Sequence, residues 1–253
     1  MQQSAKMGPC PKCGSRDNNG TYPDGHTWCF GCKTFTSGGD EMETQTKVLP
    51  MKKINNSDYV WSDIPDRKIT LDTCKRYGVT VAKQNQTITE HKYPYYDKDG
   101  NNLANKYRKT QNKDFWSEGS LGECGLFGQH MFNQAGKYIT VCEGELDAMS
   151  AYQLLGSKYA SVSIKNGAAG ALKNCKQSLT YLNKFENIVL CFDNDAVGRS
   201  AATEVARLFE PNKCKVITLE HKDANEYLKL GLREKFTQAW WNAKTYTPAG
   251  IIN

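Results

Sequence analysis

Two short apolar runs, Tyr138 to Cys142 and Ile188 to Phe192, each end abruptly in acid: Glu143-Gly144-Glu145-Leu146-Asp147 after the first, Asp193-Asn194-Asp195 after the second. Runs of this length and character read as buried strands, and a helical pattern follows each. Strand, acidic edge and helix, twice over, constrain the chain to an open α/β sheet. Such sheets collect their ligands outside the carboxyl ends of parallel strands. Carboxylates gathered at that edge need a positive partner. A hard divalent cation such as Mg2+ takes one or two carboxylates, keeps several waters and holds phosphates. The pattern therefore points to metal-dependent chemistry on phosphates.

A second constraint stands at the start of the chain. Cys10-Pro11-Lys12-Cys13 and Cys29-Phe30-Gly31-Cys32 form two Cys-x2-Cys pairs, a spacing that lets four thiolates enclose one structural zinc and leaves no open position for substrate water. Tyr22-Pro23-Asp24-Gly25 is expected to be a hairpin tip between the pairs. So short a module cannot bury a core, and metal would supply its folding energy. Asp24, His26 and Trp28 are candidates for reading bases. The remaining cysteines, Cys74, Cys124, Cys142, Cys175, Cys191 and Cys214, are scattered. Two of them fall inside the strand runs, which argues for a reducing cytoplasm rather than a disulfide framework. The formal charge of +6 becomes about +4 once a four-thiolate zinc adds roughly −2, a mild bias towards a nucleic-acid partner. The 253 residues contain no apolar run long enough to cross a membrane and no signal peptide.

Between these landmarks, residues 39–57 read as a flexible tether. Thr70 to Tyr77 reads as a short helix with a threonine cap. Strands are expected at Val79 to Ala82, His91 to Tyr96 and Leu103 to Arg108, with Asp97-Lys98-Asp99-Gly100 turning the last pair. Alternation puts Lys106 and Arg108 on one strand face, where they would clamp a triphosphate or a nucleic-acid strand, with Phe115 or Trp116 for base stacking. A lysine-protected edge strand would look the same. Val162-Ser163-Ile164 is a further strand delivering Lys165 into a small-residue loop suited to phosphate. Val197, Ala201, Val205 and Leu208 recur at helical spacing and are expected to pack on the sheet. Lys215 to Leu219 reads as the next strand, and Asp223 beyond it as a helix cap or a metal ligand. No Gly-x4-Gly-Lys-Ser/Thr occurs, which excludes a P-loop ATPase motor in this chain.

The order of these motifs resembles a known family. Glu-Gly-Glu at one strand end and Asp-x-Asp at the next resemble the toprim fold, and a preceding four-cysteine ribbon narrows the match to primases. Asp24-Gly25-His26-Thr27, Lys106-Tyr107-Arg108, Asp193-Asn194-Asp195-Ala196-Val197-Gly198-Arg199 and Lys222-Asp223-Ala224-Asn225-Glu226 are similar to the primase half of the bifunctional primase–helicase of T7-like phages. The resemblance implies an α/β toprim domain with a small mixed α+β N-terminal subdomain, preceded by a zinc ribbon. It implies a ribbon at 1–38, a linker at 39–57, a subdomain at 58–125, a toprim domain at 126–245 and a tail at 246–253 leading towards a helicase domain. The implied activity is synthesis of short RNA primers from ribonucleoside triphosphates on single-stranded DNA, in the bacterial host cytoplasm. A replicative helicase and a DNA polymerase are the implied partners. Glu143, Asp193 and Asp195 would hold catalytic Mg2+, with Mn2+ as a substitute and Asp147 and Asp223 as auxiliary ligands. Lys106, Arg108, Lys113, Lys165 and Arg199 would contact phosphates. Asp24, His26 and Trp28 would read the template. Lys165 stands where related chains can have histidine. The competing expectations are a toprim nuclease and a non-catalytic zinc-ribbon binding module.

Overall fold

The computed structural model describes residues 6–23, 25–36, 58–112 and 114–247. The chain divides into two compact units, Met1–Lys53 and Ile54–Asn253. Asp24, Lys113 and the expected linker at 39–57 lie outside the described residues, apart from the linker's neighbour Asp58 onward.

The first unit is a four-stranded antiparallel sheet in the order β1 (Lys6–Gly8), β2 (Asn19–Thr21), β3 (Thr27–Cys29) and β4 (Phe35–Thr36). The hairpin between β2 and β3 is where the Tyr22–Gly25 turn was expected. The Gly25 N–H donates to the Tyr22 carbonyl at 2.9 Å, and Gly25 takes φ +82°, a backbone state that suits glycine. Among the described residues of this unit only Cys10, Gly20 and Cys29 are buried. The described residues of this unit therefore form no apolar core, and thiols occupy their interior.

In the second unit, β5 (Tyr59–Val60), α1 (Leu71–Tyr77), β6 (Thr80–Gln84), β7 (Thr87–Tyr96), β8 (Asn102–Lys109) and β9 (Phe115–Gly119) come first. The five strands pair antiparallel in chain order. The Thr70 hydroxyl accepts from the Thr73 N–H at 3.3 Å to start α1, and Gly78 at φ +73° ends it. Asp97 Oδ1 receives the N–H groups of Asp99 and Asn101 in the β7–β8 turn. β8 lies between β7 and β9, so Lys106 and Arg108 are not edge-protecting residues: their strand is paired on both sides.

The second sheet follows, with β10 (Gly136–Cys142), α2 (Glu145–Leu154), β11 (Ala160–Ser163), α3 (Ala171–Gln177), α4 (Leu179–Leu182), β12 (Phe185–Cys191), α5 (Ala196–Ala206), β13 (Cys214–Val216), α6 (Ala224–Leu230), α7 (Arg233–Trp241) and β14 (Lys244–Thr245). Its order is β11-β10-β12-β13-β14, parallel except for β14. Alternate strand residues feed two cores. Cys142, Val189 and Cys191 face a cluster holding Met149, Tyr227, Phe236 and Trp240, whereas Ile139, Val141, Ile188 and Leu190 face one holding Ala171, Leu182, Ala202 and Val205. The first cluster also takes Tyr77, Tyr93 and Tyr95, so the two sheets of this unit share an apolar core.

Two expectations about this sheet are corrected. Val197 does not pack on it: the residue is 64% exposed, and α5 instead buries Gly198, Ala201, Ala202, Val205 and Ala206. The strand expected at 215–219 keeps ladder pairing only as far as Val216, after which one bond, Ile217 N–H to the Leu190 carbonyl, carries it on. No helix among the described residues is long and apolar enough to cross a membrane.

Candidate active site

Strand order 2-1-3-4 places a topological switch point between β10 and β12, where the connections leave towards opposite faces and open a crevice at the carboxyl ends. Cys142 and Cys191 are register partners, so Glu143 and Asp193 emerge side by side at that crevice. Asp195 caps α5, accepting the Gly198 N–H at 2.8 Å, and Asp223 caps α6, accepting the Glu226 N–H at 2.8 Å. Asp147 stands in the first turn of α2 and receives the Asn225 N–H at 3.1 Å. Helix starts thus hold three of the five expected acidic ligands.

The crevice strains to hold its negative charge. Burial, then the neighbouring Glu143 carboxylate, pushes Asp193 up to about 6, against the pull of Lys222. Burial, then Asp223 and Asp193, pushes Asp147 well above the usual carboxylate range. Glu143 Oε1 accepts the Ala168 N–H at 3.1 Å, while its buried Oε2 has no partner. An orphaned carboxylate oxygen among like charges fits a hard cation. Among the described residues these carboxylates are not drawn into a tight ligand cluster as the cysteines are.

This charge imposes a pH dependence on the metal-free chain. Asp193 binds a proton more tightly folded than unfolded, so its contribution to stability is lost as pH rises from about 4 to about 6. Melting temperatures of the metal-free protein are expected to carry a downward slope over that window which Asp193→Asn flattens. Equal slopes in the two proteins would contradict the assignment.

Several residues that the sequence reading passed over complete the site. Glu145 is buried, receiving the Tyr95 hydroxyl at 2.6 Å and the Lys106 ammonium at 2.7 Å. Lys106 also donates to the Lys165 carbonyl at 2.8 Å, tying β8 to the acidic edge. Lys222 pairs with Asp193 Oδ2 at 3.4 Å. Asn194 donates to the Leu219 carbonyl at 2.8 Å and accepts from Arg199 Nη1 at 3.0 Å. Buried Asn225 bonds Ser150 and both the carbonyl and the guanidinium of Arg67. Lys222 and Asn225 lie within the Lys222–Glu226 motif, so their signal was present. Glu145 was visible in its motif too, but nothing there named Lys106 as its partner.

Lys165 is only 3% exposed, and its ammonium donates to the Cys124 carbonyl at 2.7 Å. That contact ties the ammonium to the loop before β10. Arg108 is buried and Arg199 exposed.

Gly198 sets how closely α5 approaches the site. A Cβ there would stand 2.3 Å from the Asp193 carbonyl oxygen and 3.1 Å from its backbone C and N. Gly198→Ala is expected to cost about 1–3 kcal/mol by overpacking and to displace Asp193, read as a lower urea midpoint together with lost metal affinity. A variant indistinguishable from the parent in both would contradict the packing.

In the first unit the four cysteine sulfurs lie within 4.8 Å of one another, with Cys10–Cys32 at 3.8 Å and Cys13–Cys29 at 3.7 Å. A tetrahedral zinc at 2.3 Å from each sulfur requires separations of roughly 3.8 Å, so the donor set fits. The backbone N–H of Cys32 helps bring the Cys29 thiol down to about 6. His26 stacks on Tyr22 with centroids 4.2 Å apart, and Trp28 is half-buried.

A family model described as Toprim-like matches residues 140–228, the segment that holds the acid-lined switch point. A second, described as the N-terminal α+β fold of the bacteriophage T7 DNA helicase/primase, matches residues 60–119. The DNA helicase/primase of Enterobacteria phage T3 is 34% identical over 256 residues, covering 97% of this chain and 45% of the relative. The crystal structure of the primase fragment of the bacteriophage T7 primase-helicase is 32% identical with a TM-score of 0.67, covering 94% of this chain and all of that one. A structure of T7 lagging-strand DNA polymerase with primase domains bound to an RNA/DNA hybrid and dTTP matches at 35% identity and a TM-score of 0.68. It covers 74% of this chain and 94% of that one. The chain belongs to the T7-type phage primase family, and it spans about half the length of the curated relative it matches.

Proposed function

We propose that this chain makes short RNA primers from ribonucleoside triphosphates on single-stranded DNA. The observation that carries the reading is the Glu143 carboxylate, with one buried oxygen unpartnered, beside Asp193 at the switch point of the sheet. Glu143, Asp193 and Asp195, with Asp147 and Asp223 as auxiliary carboxylates, would hold Mg2+, which would supply charge stabilisation for a triphosphate and a lowered pKa for an attacking hydroxyl. Glu143 stands ready to take that proton or to orient the ligands. Lys106 and Arg108, facing the acidic edge from β8, supply positive charge for phosphates, and Arg199 and Lys222 do so from the other side of the crevice. Lys106 reaches a phosphate by leaving Glu145, which then remains paired with Tyr95. Lys113 and Asp24 keep the roles the family resemblance implies, as do His26 and Trp28 in template reading by a ribbon built on one structural zinc. A DNA polymerase and a helicase are the proposed partners, supported by the relatives' own names and by the T7 polymerase complex.

The test is labelled ribonucleotide incorporation on a pool of single-stranded templates with Mg2+. Short RNA made on a subset of templates supports the reading. Template cleavage without synthesis overturns it in favour of a toprim nuclease, and binding with neither reaction in favour of a non-catalytic module.

A further inference from the structure

We infer that the Phe115 ring is a stacking platform for a nucleobase delivered to the acidic edge. This rests on the nucleotidyl-transfer reading above. Phe115 is the first residue of β9, opposite Arg108 in the ladder, and on the sheet face that carries Lys106 and Arg108. The ring is 52% exposed. Lys106 Nζ lies 4.9 Å and Arg108 Cζ 5.7 Å from its centroid. Lys106 in turn touches Glu145, two residues beyond Glu143, so the ring borders the reactive edge.

Its neighbour Trp116 offers no such surface, because it points to the opposite face and stacks on Tyr107 at 5.1 Å and 9°. An exposed phenylalanine alone is ordinary. Here a second observation accompanies it. Arg108 is 7% exposed and its side chain engages the Tyr93 hydroxyl, yet its Nε has no hydrogen-bond partner and among the described residues no carboxylate pairs with it. A donor held dry beside an open ring suits an incoming anion. A base on the ring with its phosphate towards Arg108 and Lys106 satisfies both, since stacking and backbone charge act together in single-strand recognition. The base belongs either to the template strand or to the incoming nucleoside triphosphate.

The experiment compares Phe115→Leu and Phe115→Tyr with the parent chain in two arms. One measures equilibrium affinity for a single-stranded oligonucleotide and for the same strand carrying abasic sites. The other measures KM for ribonucleoside triphosphate in primer synthesis. The leucine variant is expected to lose about 5- to 150-fold in one arm, the tyrosine variant to match the parent, and both to melt at the parent's temperature. Loss in the oligonucleotide arm that vanishes on the abasic strand assigns the base to the template; loss confined to KM assigns it to the triphosphate. Parent-like behaviour of leucine in both arms overturns the platform, as does equal loss by leucine and tyrosine. The oligonucleotide arm reads even if no primer is made, which separates failure of this inference from failure of the proposed activity.

Discussion

Asp193→Ala is expected to reduce Mg2+-dependent RNA synthesis at least about 1,000-fold while leaving the fold as stable as the parent or more so. A bound cation acting on a phosphoryl centre contributes several kcal/mol, and 1.36 kcal/mol is tenfold in rate. The stability half of the expectation comes from the same geometry with its sign reversed. Without metal, Asp193 is pressed by burial and by Glu143, and only Lys222, which is largely exposed, opposes them. Removing the carboxylate relieves that repulsion. Loss of activity with unchanged or raised melting temperature separates a metal ligand from a structural residue. A variant that falls in both would show that the carboxylate holds the edge together instead.

The second large effect belongs to the zinc ribbon. Its eleven strand residues enclose no apolar core, so a zinc held by the four cysteines would carry the fold, and structural zinc is worth about 10–16 kcal/mol in comparable small modules. Chelation, or Cys29→Ser, is expected to open the region before residue 37 to protease while Ile54–Asn253, with its two cores, resists and melts as before. Template choice is expected to vanish with it, and nucleotide addition to persist once Mg2+ is supplied in excess of the chelator. An unchanged cleavage pattern after chelation would mean that the ribbon is held by something other than zinc.

The sequence disclosed these sites unequally, for physical reasons. Strand runs that end in acid carry both the fold class and Glu143 and Asp193, because burial and charge alternate abruptly there. The Thr70 cap and the Asp97 turn rest on local hydrogen bonds and were equally legible. Pairings across the chain were not. Lys106 finds Glu145 39 residues away, and Asn225 finds Asp147 78 residues away; no periodicity records such partners. Val197 followed the helical period but faces outward, because α5 turns its small residues, Gly198 and Ala201, to the sheet. Lys165 sits in a small-residue loop, and the partner its ammonium meets, the Cys124 carbonyl 41 residues away, is equally unrecorded in the sequence.

The most direct measurement is single-nucleotide extension of a preannealed RNA primer on a DNA template, with and without Mg2+, for the parent chain and Asp193→Ala. This needs neither template choice nor the ribbon and so isolates the acidic edge. The account predicts that the parent adds one ribonucleotide and releases pyrophosphate only with the cation, and that the variant does neither while still binding the duplex. Cleavage of either strand by the parent, or equal extension by the variant, would contradict it.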